Sequence, residues 1–144
     1  MAVMMRIAEA LPLVAGLALG ALFVMAGGMF LLDLVPEQPP PPEGSAVALF
    51  MGAFAPTGYL TFIKVLEVLG GVLVAIPRTR NLGLLVLGPI LVNILAFHVF
   101  ITGGHGLLEP MVLAVCALAL YLLWVERRAF AGLVQRAPRA VTSK

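Results

Sequence analysis

Four apolar runs, residues 11–34, 60–77, 82–102 and 107–125, alternate with short polar breaks along the chain. About 20 residues at 1.5 Å rise each cross the ~30 Å hydrocarbon core of a bilayer, so each run is read as a transmembrane helix. The breaks carry stop signals: Pro77 with Arg78 and Arg80, then Gly103-Gly104-His105-Gly106. Pro110 is expected in the first turn of the fourth helix, where a missing N–H costs nothing. The first two runs are separated by a longer stretch, 35–59. It opens with VPEQPPPPEG, whose prolines favour extended polyproline backbone. Ala46 to Phe54 is then read as a short helix in the membrane interface, ended before Pro56, with Tyr59 at the start of the next span. The pattern predicts an all-α, polytopic four-helix membrane bundle in one domain over 1–144, with an extracytoplasmic loop at 35–59 and a tail at 127–144.

Composition agrees with that pattern. The chain is 62% hydrophobic and 11% charged, with a mean hydropathy of +1.10, against about 45–50% apolar and about 25% charged in soluble domains. The expected partner is the lipid bilayer. The net charge of +2 does not point to nucleic acid, because the basic residues sit where membrane proteins keep loop arginines. Arg6, Arg78, Arg80, Arg127, Arg128, Arg136, Arg139 and Lys144 flank the N-terminus, the second loop and the C-terminus, while the first and third loops carry no Lys or Arg. The asymmetry predicts a multi-pass protein of the cytoplasmic membrane with both termini inside the cell. The apolar run after MAVMMR is too long for the core of a cleavable signal. The lone Cys116 permits no internal disulfide.

Lys64 is the one basic residue outside that scheme, and Glu67 shares its helix face at i, i+3, with Gly71 continuing that face. A charge at membrane depth costs about 2.5–3.5 kcal/mol. The two residues form either a self-neutralising structural pair, with the lysine snorkelling outward, or part of a functional site, since a carboxylate is too short to snorkel. Helical rise places Lys64 about 6 Å and Glu67 about 10 Å below the outer end of the second span. His98 lies about 6 Å and Asn93 about 13 Å below the outer end of the third. Polar groups therefore gather in the outer half, and the inner half is expected to be dry. Asn93 and His98 stand about 140° apart on an ideal helix, so they meet different neighbours or the helix is distorted. Asn93 is read as interhelical glue, and His98 as glue or as a ligand-binding or proton-handling group. His98, His105, Glu67 and Glu109 match no metal-site spacing, so no metal is expected. Gly16, Gly20 and Gly27 line one side of the first helix as a close-packing stripe. No phosphate loop, GxSxG, CxxC or dinucleotide fingerprint occurs.

The stretch GYLTFIKVLEVLGGVLVAIPRTRNLGLLVLGPILVNILAFHVFI, residues 58–101, resembles the DoxX-like family of small four-helix membrane proteins. Lys64 and Glu67 followed by Gly70-Gly71, then Pro77, Pro89, Asn93 and Phe97-His98, carry the resemblance. It extends over roughly residues 10–126. It implies a four-helix membrane fold and no single activity, since members include a thiosulfate:quinone oxidoreductase subunit and components of membrane redox complexes, with more distant cargo receptors and assembly chaperones. This chain has no cysteine pair and no appended soluble domain, so an accessory role in a membrane oxidoreductase is expected in place of autonomous catalysis. On that reading Lys64, Glu67, Asn93 and His98 bind a quinone or another apolar small molecule. Lys64 and His98 donate to a carbonyl, and Glu67 tunes them or accepts a proton. The alternative is a non-catalytic scaffold or chaperone gripping a partner's membrane segment. Redox-complex proteins or a second copy of the chain are the protein partners in view.

Overall fold

The computed structural model describes residues 2–134, with side chains described for residues 10–133. Its elements are α1 (Ala2–Leu31), α2 (Ala46–Phe54), α3 (Tyr59–Ala75), α4 (Arg80–Ala96) running into a π-helical turn (Phe97–Ile101), α5 (Pro110–Val125) and α6 (Arg127–Val134). No strand occurs among the described residues. Helix α1 begins at Ala2, well before the apolar run expected from residue 11. Helix α2 covers the residues read from the sequence, with Ser45 accepting from the Ala48 N–H at 3.2 Å as its N-cap. Pro110 opens α5 at its first turn. Helix α6 is an addition, since residues 127 onward were expected only as a tail. The remainder of that tail, 135–144, lies outside the described residues.

Two stretches, Ala10–Leu31 and Arg80–Ile101, are each 22 residues long and apolar enough to cross a membrane unaided. The shorter α3 and α5 reach that standard only together with the helices bent away from them, α2 by 84° and α6 by 68°. The outer surface of the helices is itself apolar: Leu17, Val92, Leu113 and Leu120 are all exposed. Apolar helices with an apolar exterior suit a lipid environment, where backbone polar groups must be satisfied within each helix.

The bundle is built on the glycine stripe of α1. Gly16 lies against Val74, Gly20 against Gly71, and Gly27 against Lys64 and Val68, so α1 and α3 run antiparallel in close contact. A Cβ on Gly71 would stand 2.9 Å from the Gly20 carbonyl oxygen, so the approach requires glycine. Leu19 of α1, Val74 of α3, Leu87 of α4 and Leu122 of α5 are fully buried at the centre. Phe23, Leu84, Ile90, Leu91, Val115 and Ala119 extend this core.

The expected dryness of the inner half needs correction. Arg80, read as a loop arginine, is 5% exposed and forms an ion pair with Glu126 at 3.3 Å (Nη1 to Oε1). Its guanidinium lies against Gly16, where a larger side chain would displace it. The α3–α4 connection is short and turns Arg80 into the bundle. Thr79 beside it donates its hydroxyl to the Leu73 carbonyl at 2.8 Å, closing the end of α3.

Candidate functional site

Glu67 projects from the face of α3 that packs against α1, and burial leaves it 3% exposed. Both carboxylate oxygens accept from the Lys64 ammonium at 2.9 Å. Because Lys64 lies nearly one turn earlier on the same face, the pair forms without help from another helix. The lysine remains 27% exposed, and its Nζ sits 6.0 Å from the centre of the Phe30 ring of α1. A cation and a carboxylate in this geometry cancel each other's charge. One ammonium N–H is left for another acceptor.

The pair forms a shared wall between two cavities. The inner one, about 130 Å³, is almost wholly apolar and reaches Phe23, Leu91, Val115 and Cys116. The outer one, about 250 Å³, lies between α3 and α4 beneath α2, and Lys64, Glu67, Asn93 and His98 all line it. The structure thus brings together every residue singled out from the sequence as a site candidate. Asn93 departs from its expected role. Its side chain is exposed on the chamber wall and makes no hydrogen bond among the described residues, so it does not glue helices together. An ideal helix would separate Asn93 from His98. Both nevertheless line the chamber, and His98 lies in a π-helical turn in which the Thr102 N–H bonds back to the Phe97 carbonyl at 3.1 Å.

The tautomer of His98 follows from its partner. Its Nδ1 lies 2.8 Å from the Ile94 carbonyl oxygen, which can only accept, so Nδ1 carries the proton. Nδ1 is thereby committed to the backbone, so any ligand contact from His98 would be made through Nε2. The Nε2 edge faces Gly106 of the third loop, 3.1 Å from where a Cβ on that residue would stand. Gly106 also needs its positive φ of 80°. The sequence reading missed Gly106, and its only signal was the glycine cluster around His105.

An aromatic chain fastens α2 over the chamber. Tyr59 packs on Phe54 at 4.8 Å between ring centres, Phe54 on Phe50 at 4.6 Å, Phe50 edge-on to Phe97 at 5.0 Å, and Phe97 on His98 at 5.8 Å. Such pairs each contribute about 0.5–1.5 kcal/mol beyond area burial. Helix α2 has no fully buried residue, so these rings are its main attachment. Chemically, the chamber offers an ammonium donor neutralised by its carboxylate, a free amide and aromatic faces. Among the described residues no three His, Cys, Asp or Glu side chains come together to hold a metal.

Comparison with known proteins adds sequence kinship without function. No family model matches the chain, and no solved structure matches it. The chain is similar to YwoB of Bacillus subtilis (strain 168), an uncharacterized protein, with 38% identity over 80 residues. The match covers 56% of this chain and 50% of YwoB, so the chain spans about half the length of that curated relative.

Proposed function

We propose that this protein crosses the membrane four times, with both termini in the cytoplasm, and holds a small uncharged amphipathic ligand, quinone-like in its chemistry, in the chamber beneath α2. On this reading it is a DoxX-like accessory protein of membrane redox chemistry. The observation that carries the ligand is Asn93, a free amide on an otherwise largely apolar wall. Exposed on the chamber wall, the amide is free to donate to a ligand carbonyl or accept from a hydroxyl, a hydrogen bond with a net contribution of about 0.5–1.5 kcal/mol. The self-neutralised Lys64–Glu67 pair gives the chamber no net charge, which favours a carbonyl head group over a carboxylate. Phe30, Phe50 and Phe97 suit a flat unsaturated ring.

The lysine and arginine asymmetry supports the topology. Helix α3, with 17 residues, and α5, with 16, extend about 24–26 Å, a mismatch that thinning of the bilayer accommodates. Helix α2, bent 84° from α3, would then lie along the outer surface as the chamber's lid.

Equilibrium binding to detergent-purified protein separates ligand classes. A decyl-substituted benzoquinone should bind, and Asn93→Leu should weaken it roughly tenfold, the equivalent of one lost hydrogen bond. Decanoate, with a comparable chain and an ionised head, should bind far more weakly. Equal binding of both molecules, or quinone affinity unchanged by Asn93→Leu, would overturn the proposal. The internal satisfaction of the Lys64–Glu67 pair favours a second reading, a scaffold in which the pair is structural. Absence of quinone binding, together with capture of a partner's membrane helix, would support that reading.

A further inference from the structure

We propose that α6 is a membrane-surface helix whose Arg127 and Arg128 bind the head groups of anionic phospholipids beside Trp124. The proposal requires α5 to end at the bilayer surface and so rests on the four-span reading.

The sequence of α6, RRAFAGLV, divides into two faces at 100° per residue. Ala129, Phe130 and Leu133 fall on one side, Arg127 and Arg128 on the other. The apolar face has two destinations. Phe130 packs against the bundle core, whereas Leu133 is 68% exposed. A helix anchored by one apolar residue and presenting the next outward fits the boundary between protein, acyl chains and head groups. The 68° bend between α5 and α6 turns the chain from the direction of a span toward the surface plane. Glu126, at the bend, is held by buried Arg80 at 3.3 Å, so the elbow is tied into the bundle.

Arg127 is oriented. Its Nη1 donates to the Trp124 carbonyl at 2.7 Å, and its guanidinium stacks 4.5 Å from the centre of the Trp124 ring. Trp124 is 67% exposed, as a tryptophan at head-group depth would be. The stack leaves the remaining guanidinium donors free for a phosphate, which arginine binds in a planar fork. Arg128 adds a second exposed cation, and Arg136, Arg139 and Lys144 follow in the sequence. Among the described residues no carboxylate pairs with Arg127 or Arg128.

Trp124 is the single tryptophan of the chain and so reports on the site directly. The full chain is reconstituted into zwitterionic vesicles containing a minor fraction of lipid with brominated acyl chains, either phosphatidylglycerol or phosphatidylcholine, and quenching of Trp124 is measured. Brominated phosphatidylglycerol should quench well beyond its mole fraction, with a preference of roughly fivefold for each arginine engaged. The preference should fall as salt rises. Arg128→Gln, which leaves the Arg127–Trp124 stack in place, should reduce the preference about fivefold. Arg127→Gln/Arg128→Gln should abolish it, while Arg127→Lys/Arg128→Lys should keep most of it. Equal quenching by the two lipids, or a preference indifferent to the glutamine variants, would overturn the lipid site and leave the span reading standing. Failure of either lipid to quench Trp124 would overturn both.

Discussion

Replacing Glu67 with leucine removes a carboxylate whose side chain is 4% exposed and which holds Lys64 through both oxygens at 2.9 Å. The lysine, 27% of whose side chain is exposed, then loses its partner. Breaking a fully buried pair costs about 3–5 kcal/mol, while exposed pairs contribute up to about 1 kcal/mol. Lys64 lies between these limits because its stem can carry the ammonium outward, which places the cost near 2 kcal/mol. For a chain of this size 1 kcal/mol corresponds to about 2–4 °C, so Glu67→Leu should melt about 6 °C below wild type. Glu67→Gln keeps an acceptor for Lys64 and should lose about half as much. The double variant Lys64→Met/Glu67→Leu should recover most of the loss, because replacing both partners by apolar groups of similar shape is nearly neutral. Melting in one mild detergent, followed by loss of the folded peak in size-exclusion chromatography, provides the comparison. A Glu67→Leu protein as stable as wild type would refute the reasoning, as would a double variant no better than the single one.

Other parts of the account are open to equally direct tests. With Cys116→Ala as background, Glu43→Cys and Gly104→Cys should react with an impermeant thiol reagent from outside intact cells and Arg78→Cys should not; labelling at position 78 would reverse the topology. Gly71→Leu, whose first added carbon would meet the Gly20 carbonyl at 2.9 Å, should sharply reduce the yield of folded monomer, and a normal yield would show that α1 and α3 do not pack as described. Glu126→Leu leaves the Arg80 guanidinium buried without its partner and should cost about 3 kcal/mol in detergent melts, with partial recovery in Arg80→Met/Glu126→Leu; no change in the single variant would remove the inner ion pair from the account.

Much of the helical plan is visible in the chain because apolar runs and their breaks are local signals. Helix α2 could be bounded closely because a proline run precedes it and Pro56 follows it. The glycine stripe of α1 likewise pointed to a close-packed face, although not to α3 as the partner. What could not be read depends on distance in sequence or on local distortion. Arg80 stands beside Pro77 and Arg78 and reads as a loop residue, and its partner Glu126 lies 46 positions away. Helix α6 was hidden by its own charge and shortness, since two arginines followed by only six mostly apolar residues carry too brief a pattern to set it apart from a tail. Asn93 read as interhelical glue because nothing local shows that α2 leaves a space beneath it. The 140° separation from His98 left open different neighbours or an irregular helix, and the π-helical turn begins only at Phe97. That the Ile94 carbonyl takes the Nδ1 proton of His98 could not be read either, since that contact is set by the side-chain rotamer.

Mass spectrometry of lipid-soluble molecules released from protein purified in mild detergent shows whether the chamber holds a ligand. Wild type should release one enriched, uncharged, carbonyl-bearing amphiphile, lost from Asn93→Leu and from Lys64→Met/Glu67→Leu while both variants still elute as folded protein. Wild type that releases no such molecule, or variants that retain it as wild type does, would contradict the claim.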